Sequence, residues 1–239
     1  MKTLAVSALV GLAFATQAHA APPPQILNLT TGSAGGDTQV LSSTSVFMTT
    51  ALDASDDAGT NFNVSGLAPL AAGSALEAFT GHPAGEFDIS RFNGSADMAT
   101  EGSAFVMRNV SIQALDTLSF DWTFYTNEPA SGALADAAYF SVLNSSTALL
   151  ANAATGITGA GLLGFRAATG GTFSHIFTQA GTFSLVFAVV DTHDFTTSSA
   201  LGINNLTVTP VPEAETWAML LAGLGLVGMM VGRNRRRMT

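Results

Sequence analysis

Between Thr117 and Tyr125 apolar and polar residues alternate without interruption: Leu118, Phe120, Trp122 and Phe124 in one phase, Ser119, Asp121 and Thr123 in the other. A repeat of two is that of a pleated strand buried on one face. The same repeat runs through Thr182–Asp191, where Phe183, Leu185, Phe187 and Val189 share a phase. In Leu201–Val208 the phase switches, from Leu201 and Ile203 to Leu206 and Val208. One extra residue near Asn204-Asn205, a β-bulge, reconciles the two halves. Further strands are predicted at Phe87–Phe92, Ser103–Val110, Tyr139–Leu143, Ala148–Ala151 and Gly171–Phe177, while Ala68–Phe79 reads as a short helix or another strand. Gly32–Gly36 and Asp53–Gly59 read as loops. Short strands spaced by Gly, Ser, Thr, Ala and Asn define an all-β chain with a single β-sandwich. The aromatic stripe is mostly Phe at strand period, which is core packing, and Tyr125 on the polar phase is the surface aromatic.

The 239-residue chain has no cysteine. Disulfides, thiolate metal sites and a Cys nucleophile are therefore excluded. The fold must rest on core burial, and residues 21–210 are enough for one core. That segment carries Arg91, Arg108 and Arg166 against fifteen Asp and Glu, a formal charge of −12. Nucleic-acid binding needs a basic footprint and is excluded as a partner chemistry.

The two ends have a different composition. Met1-Lys2-Thr3 is a positive n-region, Leu4–Phe14 an apolar h-region, and Ala18-His19-Ala20 a small-x-small cleavage site. Together they predict a signal peptide over residues 1–20, removed by signal peptidase before Ala21. At the other end Val211-Pro212-Glu213-Ala214-Glu215-Thr216 precedes an uncharged run from Trp217 to Gly232. The run is near the lower limit of about 17 residues for a transmembrane helix. Arg233, Arg235, Arg236 and Arg237 in the 233–239 tail then act as a membrane stop on the cytoplasmic side.

The Val211-Pro212-Glu213 motif, the apolar span and the Arg cluster resemble the PEP-CTERM sorting signal of Gram-negative, biofilm-forming bacteria. The match departs at Ala214, where that family usually has Pro. The resemblance implies anchoring in the inner membrane by one C-terminal helix and processing by an exosortase. Delivery to the cell surface or extracellular matrix follows from it.

Four segments of residues 21–210 carry a second resemblance: Phe120–Glu128, Asp136–Val142, Ala180–Asp191 and Ser199–Leu206. They are similar to a jelly-roll-like domain of PEP-CTERM proteins and large bacterial surface adhesins, with the pattern F-D-W…T-N-E…V-V-D. Asn204 stands where that pattern has Asp. The resemblance implies a jelly-roll-like surface β-sandwich without assigned enzymatic chemistry. Asp121, Asn127, Glu128, Asp136, Asp191, Asp194 and Asn204 are its polar positions. Calcium takes six to eight oxygen ligands, and these residues are the candidates for it. The alternative is that Asp and Asn at strand ends make turns and caps.

Other chemistry has little local support. Asp53, Asp56 and Asp57 lack the spacing of a calcium loop. His82, His175 and His193 are scattered, without a zinc-binding pair, and His193-Asp194 beside Asp191 is the one acid–imidazole cluster. There is no G-x-S-x-G elbow. A glycosidase needs two facing carboxylates, for which Asp121 and Glu128 are the candidates. The sequence thus reads as a non-enzymatic, surface-sorted structural or adhesion protein associated with extracellular polysaccharide or biofilm matrix. A calcium-dependent carbohydrate-binding module is the alternative, and a glycan-acting hydrolase the third.

Overall fold

A computed structural model describes residues 22–52, 62–128, 135–154, 157, 159–161, 163–193, 195, 197–211 and 221–227. The predicted signal peptide, the segment predicted as a loop at Asp53–Gly59, Asp194 and most of the 212–239 tail lie outside the described residues. Residues 23–210 form one compact unit. Its elements in chain order are β1 (Gln25–Ile26), a 3-10 turn (Leu29–Thr31), β2 (Ser33–Gly35), β3 (Thr38–Ser42), β4 (Ser45–Thr49), β5 (Leu70–Ala71), α1 (Ala75–Thr80) and α2 (Ser90–Asn93). Then follow β6 (Ala99–Ile112), β7 (Thr117–Thr126), β8 (Ala137–Val142), β9 (Ser146–Asn152), β10 (Gly159–Ala160), β11 (Ala167–Ile176), β12 (Gly181–Thr192) and β13 (Ser199–Thr209).

Among the described residues these strands make two antiparallel sheets. The seven-stranded sheet runs β10-β11-β7-β13-β4-β3, with β1 also on β13. The six-stranded sheet runs β2-β6-β12-β8-β9, with β5 also on β6. Leu118, Phe120 and Phe124 of β7 meet Phe140 of β8 and Leu185, Phe187 and Val189 of β12 between the layers. Phe120 stands at the centre of this core, with ring centroids 5.0 Å from Phe140 and Phe187 and 5.2 Å from Phe173. The chain is an all-β sandwich, as the alternation predicts. The bulge is present too: the β13–β7 register slips between Asn204 and Thr207, and Asn205 has φ 55.

Several elements differ from expectation, each for a physical reason. Strand β12 is buried on both faces, not one: Val186, Ala188 and Val190 pack outward with Leu76, Phe87, Ile89 and Tyr139 in a second apolar cluster. Residues 70–98 cover the outer face of the six-stranded sheet there. Phe87–Phe92 is therefore not a strand but turns leading into α2, which ends at Gly94 in the left-handed conformation. Its alternation of Phe87 and Ile89 is that of two side chains pressed down onto the sheet. Ala68–Phe79 holds both β5 and α1. Gly32–Gly36 is not wholly loop, since Ser33–Gly35 pairs with β6 before Gly36 turns with φ 70. The β3–β4 hairpin was not expected, because outward Phe47 stands between inward Val46 and Met48 and hides the alternation.

Candidate functional site

The seven oxygen-bearing candidates do not converge. Asp121 lies mid-strand in β7 on the outer face of its sheet, and Asn204 of β13 is its register partner. Asn127 follows β7, where its Oδ1 accepts from the Arg166 N–H at 2.9 Å. Glu128, Asp136 and Asp191 are buried, at 3 %, 0 % and 2 % exposure. Asp194 lies outside the described residues.

The buried group forms where the ends of β7, β8, β12 and β13 meet. Asp136 Oδ1 accepts from the Thr192 N–H at 3.1 Å, and its Oδ2 from the Ser199 hydroxyl at 2.6 Å. Asp191 hydrogen-bonds the same carboxyl. Burial, offset in part by the Ser199 bond and reinforced by the negative charge of Glu128, pushes Asp136 up to about 8. At neutral pH this carboxyl therefore holds its proton, which is how closely packed carboxyl groups avoid two adjacent buried charges. Among the described residues no three His, Asp or Glu are arranged to hold a metal. Both Asp136 oxygens are instead taken, one by the Thr192 N–H and one by the Ser199 hydroxyl.

The outer face of the seven-stranded sheet is the second arrangement. Thr172 donates to Asp121 Oδ1 at 2.7 Å, and the Asn205 amide donates to Oδ2 at 3.0 Å. These two bonds, Asn205 first, hold Asp121 below the usual carboxylate range. Next to it the Ser119 and Thr207 hydroxyls are 2.8 Å apart. Two residues beyond Thr123, Tyr125 sits on this face beside Phe47 and Phe165, with centroids 5.6 Å away in both cases. A cavity of about 270 Å³ opens there, lined by Leu41, Phe47, Phe62, Val64, Leu163 and Phe165 among others. Tyr125 lies on the outer face, as its phase predicts, but it is half-buried there, packed with Phe47 against Ala51, Phe62, Phe165 and Ala200. Asp121 faces solvent mid-strand and Glu128 is buried past the strand end, so the two do not face each other across a cleft.

Two polar centres have no signal in the sequence. Buried Asp37 accepts from the Val64 and Ser65 N–H groups, at 3.0 and 2.7 Å, and from the Ser65 and Thr49 hydroxyls. It ties the 62–67 loop, one wall of the cavity, to β4; only its place in a Gly-Gly-Asp turn marked it. His82, read as isolated, has Nε2 2.8 Å from the Ser141 hydroxyl. From Ser141 a chain runs through Thr147 (2.9 Å) to Glu86 (2.6 Å) and on to Arg91 (2.5 Å). A serine beside an imidazole suggests a nucleophile. Ser141 is however 1 % exposed, and His82 Nδ1 has no hydrogen-bond partner among the described residues to orient the ring. The chain is a pin holding residues 82–91 on the sheet. His193 lies 3.9 Å from Asp97, so its closest described acid is not Asp191.

These observations define a class: a β-sandwich followed in sequence by a terminal sorting segment. The family model of the PEP-CTERM protein-sorting motif matches residues 210–237, so the chain carries that sorting motif. The matched stretch includes Val211, Pro212, Glu213, Ala214 and the four tail arginines. It implies an exported protein processed by an exosortase. Within the tail, residues 221–227 are helical. Among the described residues no helix is long and apolar enough to cross a membrane. No curated protein matches the chain.

Solved structures similar in part include TmCBM61 in complex with β-1,4-galactotriose, at 9% identity and TM-score 0.28 over 47% of this chain and 67% of that one. The N-terminal cellulose-binding domain of Cellulomonas fimi β-1,4-glucanase C has 10% identity and TM-score 0.27 over 49% and 78%. The C-terminal CBM6 of LamC from Zobellia galactanivorans has 9% identity and TM-score 0.24 over 45% and 78%. Overlaps this shallow carry no argument about fold or ligand; the sandwich stands on its own strand pairing.

Proposed function

We propose that the protein is a non-enzymatic component of the cell surface or biofilm matrix, whose β-sandwich contacts extracellular polysaccharide. In this reading signal peptidase removes residues 1–20. A helix over 217–232 holds the chain in the inner membrane, with Arg233, Arg235, Arg236 and Arg237 inside, until an exosortase acts at Val211–Ala214. The observation that carries it is the sorting motif at 210–237. Deleting Trp217–Thr239 is expected to give freely secreted protein, and intact mass of the surface-retained form should show both termini removed. A truncated chain that still fractionates with membranes would refute the anchor.

The second reading is a calcium-dependent carbohydrate-binding module using Asp121, Asn127, Glu128, Asp136, Asp191, Asp194 and Asn204. The jelly-roll-like motif that carries these residues supports it, while the absence among the described residues of three acids arranged to hold a metal counts against it. The distance along the fold between the buried carboxyls and the Asp121–Asn204 pair counts against one site made of all seven. Polysaccharide retention abolished by a chelator would select this reading.

A further inference from the structure

The outer face of the seven-stranded sheet combines two chemistries along one strand. Ser119, Asp121, Thr123 and Tyr125 point outward from β7, because Leu118, Phe120 and Phe124 point into the core. The register sets Thr172 and Asn204 beside Asp121, and Gly170 and Gly202 beside Thr123. At Thr123 both flanking strands therefore present glycine. A Cβ on Gly170 would stand 2.5 Å from the Trp122 carbonyl, so no larger residue replaces it without a backbone shift. The result is a low floor on the Gly170 side of Thr123, the Phe47 ring lying over Gly202, between a hydrogen-bonding end, Asp121 with Thr172 and Asn205, and an aromatic end, half-buried Tyr125 with Phe47 and Phe165. Asp121 and Tyr125 are four residues apart, about 13 Å along the strand.

The ligand class follows from what each end excludes. A carboxylate in a unit of charge −12 repels polyanions. A peptide adding to a sheet needs a free edge, and β7 is bonded on both sides. A purely apolar ligand would strip water from Asp121 without replacing it. What remains is an uncharged molecule with many hydroxyls and apolar C–H faces. Each Asp121 oxygen uses one acceptor position on its neighbour and keeps the other for a ligand hydroxyl. Thr172 and Asn205 already hold the carboxylate, so little rotamer freedom is lost on binding.

We propose that this face binds a neutral polysaccharide chain lengthwise along β7, its hydroxyls on Asp121, Asn205 and Thr172 and the C–H face of a sugar ring on Tyr125. This deepens the polysaccharide-contact reading and rests on it. The residues 23–210 unit encloses both sheets and their core, so it can be tested by itself. Its migration would be measured in gels containing hydroxyethylcellulose, laminarin, dextran or galactomannan, with alginate as the anionic comparison. Variants are Asp121→Ala, Thr123→Trp to fill the floor, and Gln113→Ala in the exposed turn between β6 and β7. The expected result is retardation by at least one neutral polymer and not by alginate. Asp121→Ala and Thr123→Trp should weaken it about tenfold, with urea midpoints retained, and Gln113→Ala should bind as the parent does. Equal retardation of all variants would overturn this face and leave polysaccharide contact standing. No retardation of the parent by any neutral polymer, or retardation by alginate alone, would overturn both.

Discussion

Replacing Asp136 with Asn tests whether the buried carboxyl at the end of the sandwich carries a proton. In the folded chain burial holds Asp136 at about 8, against 3.8 for the free side chain. Below the lower value both states are protonated, and the stability associated with this group is complete. As pH rises past it the unfolded chain releases its proton while the folded chain keeps it. Stability then falls at about 1.4 kcal/mol per pH unit, and the loss is complete above the folded value. The loss accumulated by about pH 7 is on the order of 4 kcal/mol. Among the described residues the acids beside Asp136 are Glu128, whose charge raises it, and Asp191, which hydrogen-bonds it, with Glu101 opposite Asp191 in the β12–β6 register. His82 contributes with the other sign: burial lowers its pKa, so stability from it is lost as pH falls below its ordinary 6.5. Comparing parent and variant cancels that contribution. Asp136→Asn keeps an acceptor for the Thr192 N–H and places an amide against Ser199, so the fold is retained. Urea titrations from about pH 5 to about pH 8 should show the parent losing stability with pH and the variant flat once the His82 trend is subtracted. Identical slopes for the two proteins, or a parent that gains stability across the upper half of the range, would refute the protonated Asp136 carboxyl.

Asp37→Ala strips the Val64 and Ser65 N–H groups and two hydroxyls of their acceptor, and should cost about 3 kcal/mol in urea unfolding; an unchanged midpoint would show that water replaces it. Phe120→Ala removes the ring shared by Phe140, Phe173 and Phe187, and should cost about 3–5 kcal/mol in the same assay, less only if the two sheets close on the gap.

The strands were legible where one phase is wholly apolar and the other polar, as in β7, and even the slip at Asn204-Asn205 followed from a change of phase. Legibility failed where a second layer is added. Val186, Ala188 and Val190 look like the neutral side of a strand until α1 and the 82–94 segment are placed over them. Phe87 and Ile89 then mimic strand spacing while sitting in turns. For the site, Tyr125 was legible from its phase alone. The carboxyl group was not, because Glu128, Asp136 and Asp191 meet only through the pairing of β8 with β12 and the approach of β13. Asp121 shares their motif in sequence yet projects the opposite way, because its place within β7 sets its direction.

Strand β1 runs antiparallel to the end of β13, Gln25 opposite Val208 and Ile26 opposite Thr207. Entry and exit of the sandwich are therefore side by side. A pull transmitted through Val211 would enter at β13, which is hydrogen-bonded to β7 along one side and to β4 and β1 along the other. Lengthwise traction on an interior strand strains all those ladders together instead of opening them one rung at a time, a geometry suited to a module tethered at one end in flowing water.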